Sequence, residues 1–212
     1  MNKGLKIGII IVILAVIAVV LLLYRNITNK NVGIDKEVTN ETGKAGTTTL
    51  DSNRVLVVYF SQSGNTQKLA KLISDRVGGD FIRIETVQTY PTEYNELADF
   101  AKKEKDNNIK PELKDLDINL DKYDTIFIGY PIWWYILPMP MYTFFDTYDF
   151  DNKTIIPFNT HEGSGNGGTY DTIKELEPNA TVLEGLPIRG GDMSKDQSKT
   201  VDNWLNKLGF KK

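Results

Sequence analysis

The chain has 212 residues, a formal net charge of −3 and no cysteine. The absence of cysteine excludes disulfides, thiolate nucleophiles, iron–sulfur clusters and a lipid-modified N-terminal cysteine. Charge is unevenly distributed, because residues 1–53 hold six Lys or Arg and four Asp or Glu, whereas residues 54–212 hold 19 and 24. Such a mildly acidic domain argues against nucleic acid as a partner, since nucleic-acid binding depends on neutralising phosphates with cationic side chains.

Residues 1–25 predict a signal anchor or transmembrane helix. An unbroken apolar run follows Lys3 and Lys6, and as a helix it reaches roughly 26 Å at about 1.5 Å per residue, enough for a bilayer core. A cleaved signal peptide is the alternative, but the apolar run is long for one and no small-x-small cleavage site follows it. We expect residues 7–24 to contact the membrane and the rest of the chain to lie outside the cytoplasm. The cytoplasmic side is the alternative, since the flanking charges are nearly balanced.

Residues 26–53 are rich in Asn, Thr, Lys and Gly and predict a flexible tether.

From residue 54 to residue 212, apolar strand-like runs alternate with amphipathic helical stretches. This alternation predicts one α/β domain with a doubly wound parallel sheet covered on both faces. The predicted strands are 55–60, 81–85, 124–130, 153–159 and 181–184, and the predicted helices are 66–77, 92–107, 139–147, 169–176 and 195–208.

The segment between the first strand and the first helix predicts a phosphate site. Amides at a helix start have no intrahelical acceptor and favour an anion, and the loop supplies hydroxyl donors but no Lys or Arg. It lacks the glycine spacing of a Walker A loop or of a dinucleotide fingerprint. A plain helix cap is the alternative. The predicted phosphate-binding residues are Ser61, Gln62, Ser63, Gly64, Asn65 and Thr66.

The segment that follows the third strand, residues 131–138, is unusually aromatic for a surface loop. A flat conjugated ligand would suit it, because aromatic faces stack on such a ring and exclude water. Packing of these side chains against the domain's own helices is the alternative. The predicted ligand-binding residues of this loop are Pro131, Ile132, Trp133, Trp134 and Tyr135.

The segment that follows the fourth strand, residues 160–168, is rich in glycine and predicts backbone groups laid against the polar edge of a heterocycle. His161, the only histidine, is predicted to contact the ligand edge rather than to act in catalysis, because no nucleophile or paired carboxylate accompanies it. No metal-binding spacing is present. A plain surface loop is the alternative. The predicted ligand-binding residues here are Thr160, His161, Glu162, Gly163, Ser164 and Gly165.

Together these segments resemble the flavodoxin family over residues 54–212. The phosphate loop is similar to that family's loop for the phosphate of FMN, and the other two loops match in position and composition. The resemblance implies a three-layer flavodoxin-like fold of the short-chain type, with a five-stranded parallel sheet of order 2-1-3-4-5. It also implies FMN as cofactor, with its phosphate on residues 61–66, its ring between Trp133 and Trp134, and its pyrimidine edge on residues 160–165.

The resulting hypothesis is a membrane-tethered FMN-binding protein that exchanges electrons with a redox partner protein or a small electron acceptor. One departure from the family is that residues 131–138 contain no glycine. In electron-carrying members a glycine commonly lies there, and its peptide flips toward the reduced flavin. An FMN-dependent NAD(P)H reductase of quinones or other small acceptors is therefore an alternative, and a flavin-free surface binding module is another.

Overall fold

The computed structural model describes residues 51–210. The predicted anchor, residues 1–25, and all but the last three residues of the predicted tether lie outside this range, so both stay predictions. Within residues 51–210, no helix has the length and apolar content needed to cross a bilayer.

The strands form one parallel sheet of order β2-β1-β3-β4-β5, and a sixth strand also pairs with β4. The predicted sheet order is confirmed. Parallel pairing places the carboxyl ends of the strands at one edge of the sheet, where ligands bind in this architecture. The strands are β1 (Val55–Phe60), β2 (Asp80–Ile84), β3 (Thr125–Pro131), β4 (Thr154–His161), β5 (Thr181–Val182) and β6 (Leu186–Arg189).

Helices cover both faces of the sheet. One face carries α1 and α5, and the other carries α2, α3 and α4, each face with its own apolar cluster. Short 3-10 turns at residues 52–54, 120–122 and 190–194 connect some of the elements. The helices are α1 (Asn65–Val77), α2 (Tyr94–Asp106), α3 (Met139–Thr147), α4 (Thr169–Leu176) and α5 (Ser198–Lys207).

All six residues of β1 are buried because β1 is a central strand covered on both faces. Successive side chains of a strand point to opposite faces. Leu56, Val58 and Phe60 therefore join the cluster under α2 to α4, whereas Val57 and Tyr59 join the cluster under α1 and α5. This two-sided burial explains why the sequence of β1 is continuously apolar rather than alternating.

The predicted fifth strand, residues 181–184, is shortened to β5, and a further strand that was not predicted, β6, follows along the same edge of β4. The Ile155 carbonyl accepts from the Leu183 amide at this edge, at 2.9 Å. Main-chain groups two residues apart in a strand face the same edge, so Pro157 of β4 also faces it, and Pro157 has no N–H to donate. Gly185 lies at the break, where a Cβ would stand 2.6 Å from the Pro157 carbonyl oxygen. The missing donor and this close approach interrupt the strand.

Candidate functional site

The three loops predicted from the sequence meet at the carboxyl edge of the sheet through Thr160. The hydroxyl of Thr160 lies 2.8 Å from the hydroxyl of Thr66 in the first turn of α1. The carbonyl of Thr160 accepts from the amide of Ile132 at 2.8 Å, in register with the Pro131–Thr160 pair of β3 and β4. The structure therefore brings together a helix start, an aromatic loop and a glycine-rich loop.

The helix start presents free backbone donors. Gly64 precedes α1 with a φ of +88° and supplies no side-chain cap, and an added Cβ would meet nothing within 4 Å. Ser61 is buried, and its hydroxyl accepts from the amide of Gln67 at 3.2 Å. In the described part of the chain, the amides of residues 63–66 have no hydrogen-bond acceptor. Four consecutive N–H groups at a helix start form an anion site.

The second strand supports this loop from below, which the sequence alone did not indicate. The Arg83 guanidinium donates to the Ser61 carbonyl at 2.8 Å. The Gln62 amide points away from the helix start and donates to the carbonyls of Tyr90 and Pro91 at 3.4 and 3.1 Å. Gln62 therefore fixes the segment that follows β2. Its side-chain N–H groups donate to that segment and not to the space beside the amides of residues 63–66. The sequence held one indication of this support: residues 85–91 follow the carboxyl end of β2 and so lie at the same edge of the sheet as the other loops.

The aromatic loop is a tight two-residue hairpin turn. Trp133 and Ile136 exchange backbone hydrogen bonds of 3.2 and 3.0 Å, and the two residues between them, Trp134 and Tyr135, have φ of +51° and +65°. Positive φ at both central positions is the type I′ geometry, which usually requires Asn or Gly. Bulky residues held there store about 1–3 kcal/mol each, and such strain concentrates at functional sites.

The three aromatic side chains of this turn have different surroundings. Trp133 packs edge-on against Phe60 and Tyr90, with ring centroids 5.4 and 5.3 Å away. Trp134 is 41% exposed, and its indole N–H donates to the Ala98 carbonyl of α2 at 2.8 Å. Tyr135 is 71% exposed. Trp133 and Trp134 thus both pack on the domain itself, Trp133 on the core and Trp134 on α2. Tyr135 makes up the exposed part of the turn.

Asn159, at the end of β4, holds the glycine-rich loop. It is fully buried, donates from Nδ2 to the Gly165 carbonyl at 3.0 Å and accepts at Oδ1 from the Tyr170 hydroxyl at 2.6 Å. Gly163 and Gly165 have φ of +127° and +62°, and added Cβ atoms would meet nothing within 4 Å. The Ser164 carbonyl closes the turn by accepting from the Gly167 amide. The loop is a fixed backbone surface with open space before it.

His161 has one ring nitrogen committed to the loop. Its Nδ1 accepts from the Gly163 amide at 3.0 Å, so the neutral ring carries its proton on Nε2. Burial lowers the pKa of His161, and the nearby carboxylate of Glu162 opposes this shift while Arg189 adds to it. The neutral form therefore predominates near pH 7. We expect His161 to present an N–H donor rather than a charge.

A fourth segment completes the edge, and the sequence did not predict it. Residues 190 and 191 follow β6, the strand that was missed. A Cβ at Gly190 would stand 2.4 Å from Glu162 Oε1 and 2.9 Å from Asn65 Nδ2, so this segment lies against side chains of both the helix start and the glycine-rich loop. The Gly-Gly pair after an apolar run was the available signal.

A parallel sheet of order 2-1-3-4-5, with a helix start that has free amides, an aromatic loop and a glycine-rich loop at its carboxyl edge, defines a flavodoxin-like α/β protein. A family model described as Flavodoxin matches residues 54–208. The chain belongs to the flavodoxin family. No curated protein matches.

Solved structures agree with this assignment. Provisionally assigned flavoproteins from Bacteroides eggerthii DSM 20697 and Bacteroides uniformis ATCC 8492 are each 30% identical, with a TM-score of 0.65, over 74% of this chain and 99% of theirs. A flavoprotein from Lactobacillus acidophilus NCFM, solved with FMN, is 24% identical over 68% of this chain and 99% of its own, with a TM-score of 0.55. Family and neighbours support a flavin cofactor for this chain.

Proposed function

We propose that the protein is an FMN-binding electron-transfer protein, tethered to a membrane by residues 7–24. FMN, when bound, supplies the redox chemistry, because its ring accepts and releases electrons. The chain supplies binding, orientation and exclusion of water. Its partner is a redox protein or a small electron acceptor that reaches the exposed edge of the ring.

The observation that carries the proposal is the row of four amides at residues 63–66, which have no acceptor among residues 51–210. Ser63 is exposed beside them, and the N-cap residue, Gly64, has no side chain that could occupy these donors. A phosphate dianion satisfies several such donors at once, and the helix dipole adds to its binding. This cradle favours FMN over riboflavin, which has no phosphate.

The remaining two loops suit the flavin ring. Trp133 and Tyr135 offer aromatic faces beside the cradle, and the open backbone at Gly163 and Gly165 offers amides and carbonyls to a polar heterocycle edge. His161 adds an N–H donor from the same loop. The FMN complex of the Lactobacillus acidophilus relative is consistent with this choice of cofactor.

The turn geometry bears on the choice between electron carrier and reductase. The lack of glycine in residues 131–138 counted against a carrier, because a peptide flip to positive φ costs about 1–2 kcal/mol in a bulky residue. Trp134 and Tyr135 already have positive φ, so the folded chain already bears that cost, and the lack of glycine no longer counts against a carrier. Potentiometric titration separates the two functions: two resolved one-electron steps support the carrier, and direct two-electron reduction by NADPH supports the reductase.

The experiment that tests cofactor binding uses the full-length chain, purified in a mild detergent and freed of any bound flavin. FMN is added, and the quenching of flavin fluorescence gives Kd. We expect a tight yellow complex and weaker binding of riboflavin. If neither quenching nor a shifted visible spectrum develops, the chain is a flavin-free module and the proposal fails.

Variants of the cradle test how the phosphate is held. Ser63→Ala removes the hydroxyl of an exposed residue beside these amides and should weaken FMN about tenfold while changing riboflavin far less. Thr66 is left intact, because its buried hydroxyl is bonded to that of Thr160. Ser74→Ala, which removes a hydroxyl near the other end of α1, is the matched control. Equal losses for the two flavins would contradict a phosphate at this helix start.

The membrane tether and its orientation are tested separately. Cells that produce the full-length chain are exposed to an external protease, with and without permeabilisation. Loss of the domain in intact cells supports an extracytoplasmic position, and protection until permeabilisation supports the cytoplasmic side. Release of the whole protein by salt or high pH without detergent would contradict the tether itself.

A further inference from the structure

A buried acidic residue of α2 is connected to Trp133 through Tyr90. Glu104 is only 3% exposed. Its carboxylate accepts from the Tyr90 hydroxyl at 2.7 Å and from the Gln88 amide at 3.0 Å, and no cation of the described residues forms an ion pair with it. Burying a carboxylate without a cation is costly, so the helix would pack more favourably with an apolar residue at this position.

Tyr90 connects this carboxylate to the site. Its ring is 4% exposed and packs edge-on against Trp133 at 5.3 Å and Phe60 at 5.9 Å. Its carbonyl accepts from the Gln62 side chain of the phosphate loop. The Tyr90 ring therefore stands between Glu104 and Trp133, and the hydrogen bond to Glu104 fixes the only polar end of that ring.

Edge-on aromatic contacts depend on ring orientation. A phenol ring in an apolar cluster is held in one orientation when its hydroxyl has a single strong acceptor, and a charged acceptor gives a stronger hydrogen bond than a neutral one. Without that acceptor, the Tyr90 hydroxyl would have to turn toward water, and the ring would leave its contact with Trp133. The costly carboxylate is thus explained by its effect on a neighbouring ring.

We propose that Glu104 is a positioning residue, which holds the Trp133 indole at the flavin site through the hydroxyl of Tyr90. The assignment of Trp133 to the ring of the cofactor rests on the proposed function. The positioning of Trp133 by Glu104 concerns the protein alone and is measured without flavin. The two parts therefore fail independently.

The test compares Glu104→Gln, which keeps an acceptor for Tyr90, with Glu104→Leu, which removes it, in the full-length chain. Glu96→Gln and Glu96→Leu are the matched controls on an exposed position of the same helix. Tryptophan emission of the flavin-free protein is recorded in each variant and again with Trp133→Phe added. We expect a changed emission for Glu104→Leu, which disappears in the Trp133→Phe background, and nearly normal emission for Glu104→Gln.

Flavin affinity gives the second measurement. Glu104→Leu should weaken FMN and riboflavin by a similar factor of about tenfold, since it displaces the Trp133 indole that is proposed to contact the flavin ring. Glu104→Gln should keep most of the affinity. Unchanged emission in folded Glu104→Leu protein, or a change that persists without Trp133, would overturn the positioning role. A changed emission with unaltered flavin affinity would overturn the link to the flavin site. Absence of FMN binding in the unmodified chain would refute the proposed function and leave the emission result to decide the positioning role.

Discussion

The hydroxyls of Thr66 and Thr160 lie 2.8 Å apart, and both residues are almost completely buried. Thr66 belongs to the first turn of α1, whereas Thr160 belongs to β4, two strands away from β1 in the sheet. This single hydrogen bond therefore joins the proposed phosphate cradle to the start of the glycine-rich loop. Because the pair is shielded from water, each hydroxyl depends on the other for its hydrogen bond.

Removing either hydroxyl alone should destabilise the fold, and removing both should cost less than the sum of the two single losses. Thr66→Val or Thr160→Val leaves a buried hydroxyl unsatisfied and should lower the free energy of unfolding by about 1–3 kcal/mol. The double variant should lose clearly less than the sum of the two. Urea denaturation of the four proteins measures the coupling, and Thr147→Val on the exposed face of α3 is the control. Strictly additive losses would contradict a paired role.

The strained turn predicts a stabilising substitution. Tyr135 has a φ of +65° and is 71% exposed, so its side chain packs against little of the protein. Tyr135→Gly removes the cost of the left-handed backbone, whereas Tyr135→Ala keeps it. The free energy of unfolding of the Gly variant should therefore be about 1 kcal/mol higher than that of the Ala variant. The comparison with Ala separates backbone from side chain.

The same pair of variants tests the role of the Tyr135 ring. Both should bind FMN more weakly than the unmodified chain, and by similar factors, because both lack the aromatic face. A more stable Tyr135→Gly protein with weaker FMN binding would show that the strain is retained for the ligand. Equal stability of the Gly and Ala variants would mean that positive φ at this position has no cost.

The sequence predicted the first four strands and the loops that follow β1, β3 and β4, because two-sided burial leaves continuous apolar runs that end sharply, as β1 does at Ser61. Which loops touch was not predictable, because the Thr66–Thr160 contact depends on the order of the strands. That order entered only through a family resemblance. The same holds for Gly129, where a Cβ would stand 2.2 Å from the Phe158 ring. The reason for this glycine is visible only in the register of β3 against β4.

Other features of the site depend on tertiary contacts that no local pattern reports. Trp134 reads as a ligand-stacking residue in the sequence, yet its indole donates to the Ala98 carbonyl of a different element. Glu104 reads as an ordinary polar position of an amphipathic helix, yet it is buried against Tyr90. In both cases the residue type is compatible with either surroundings, so the tertiary contact could not be predicted from it.

The anchor of the glycine-rich loop gives a further prediction. Tyr170→Phe removes the hydroxyl that donates to the buried Asn159 Oδ1, so we expect a loss of about 1–3 kcal/mol in the free energy of unfolding. Hydrogen exchange should become faster in residues 163–168, since Asn159 also holds the Gly165 carbonyl. Tyr94→Phe, on an exposed tyrosine, is the control. Unchanged exchange in this loop would contradict the role of Asn159 as its anchor.

The pH dependence of stability should reveal one carboxyl group remote from the site. Burial, followed by repulsion from Asp149, Asp151 and Asp146, raises the pKa of Glu177 to about 7. A folded-state pKa above the unfolded value of 4.5 means that the contribution of Glu177 to stability is complete below pH 4.5 and is lost as pH rises through 7.

Glu177→Gln removes this loss, because the amide stays neutral at every pH. Its free energy of unfolding relative to the unmodified chain should therefore rise between about pH 4.5 and pH 7, by about 1 kcal/mol after solvent screening of this partly exposed group. Urea denaturation across that interval gives the difference, and Glu175→Gln, at an exposed position two residues earlier in α4, is the control. A difference that does not vary with pH would mean that Glu177 titrates alike in the folded and unfolded chain, and that the three neighbouring aspartates exert no net repulsion on it.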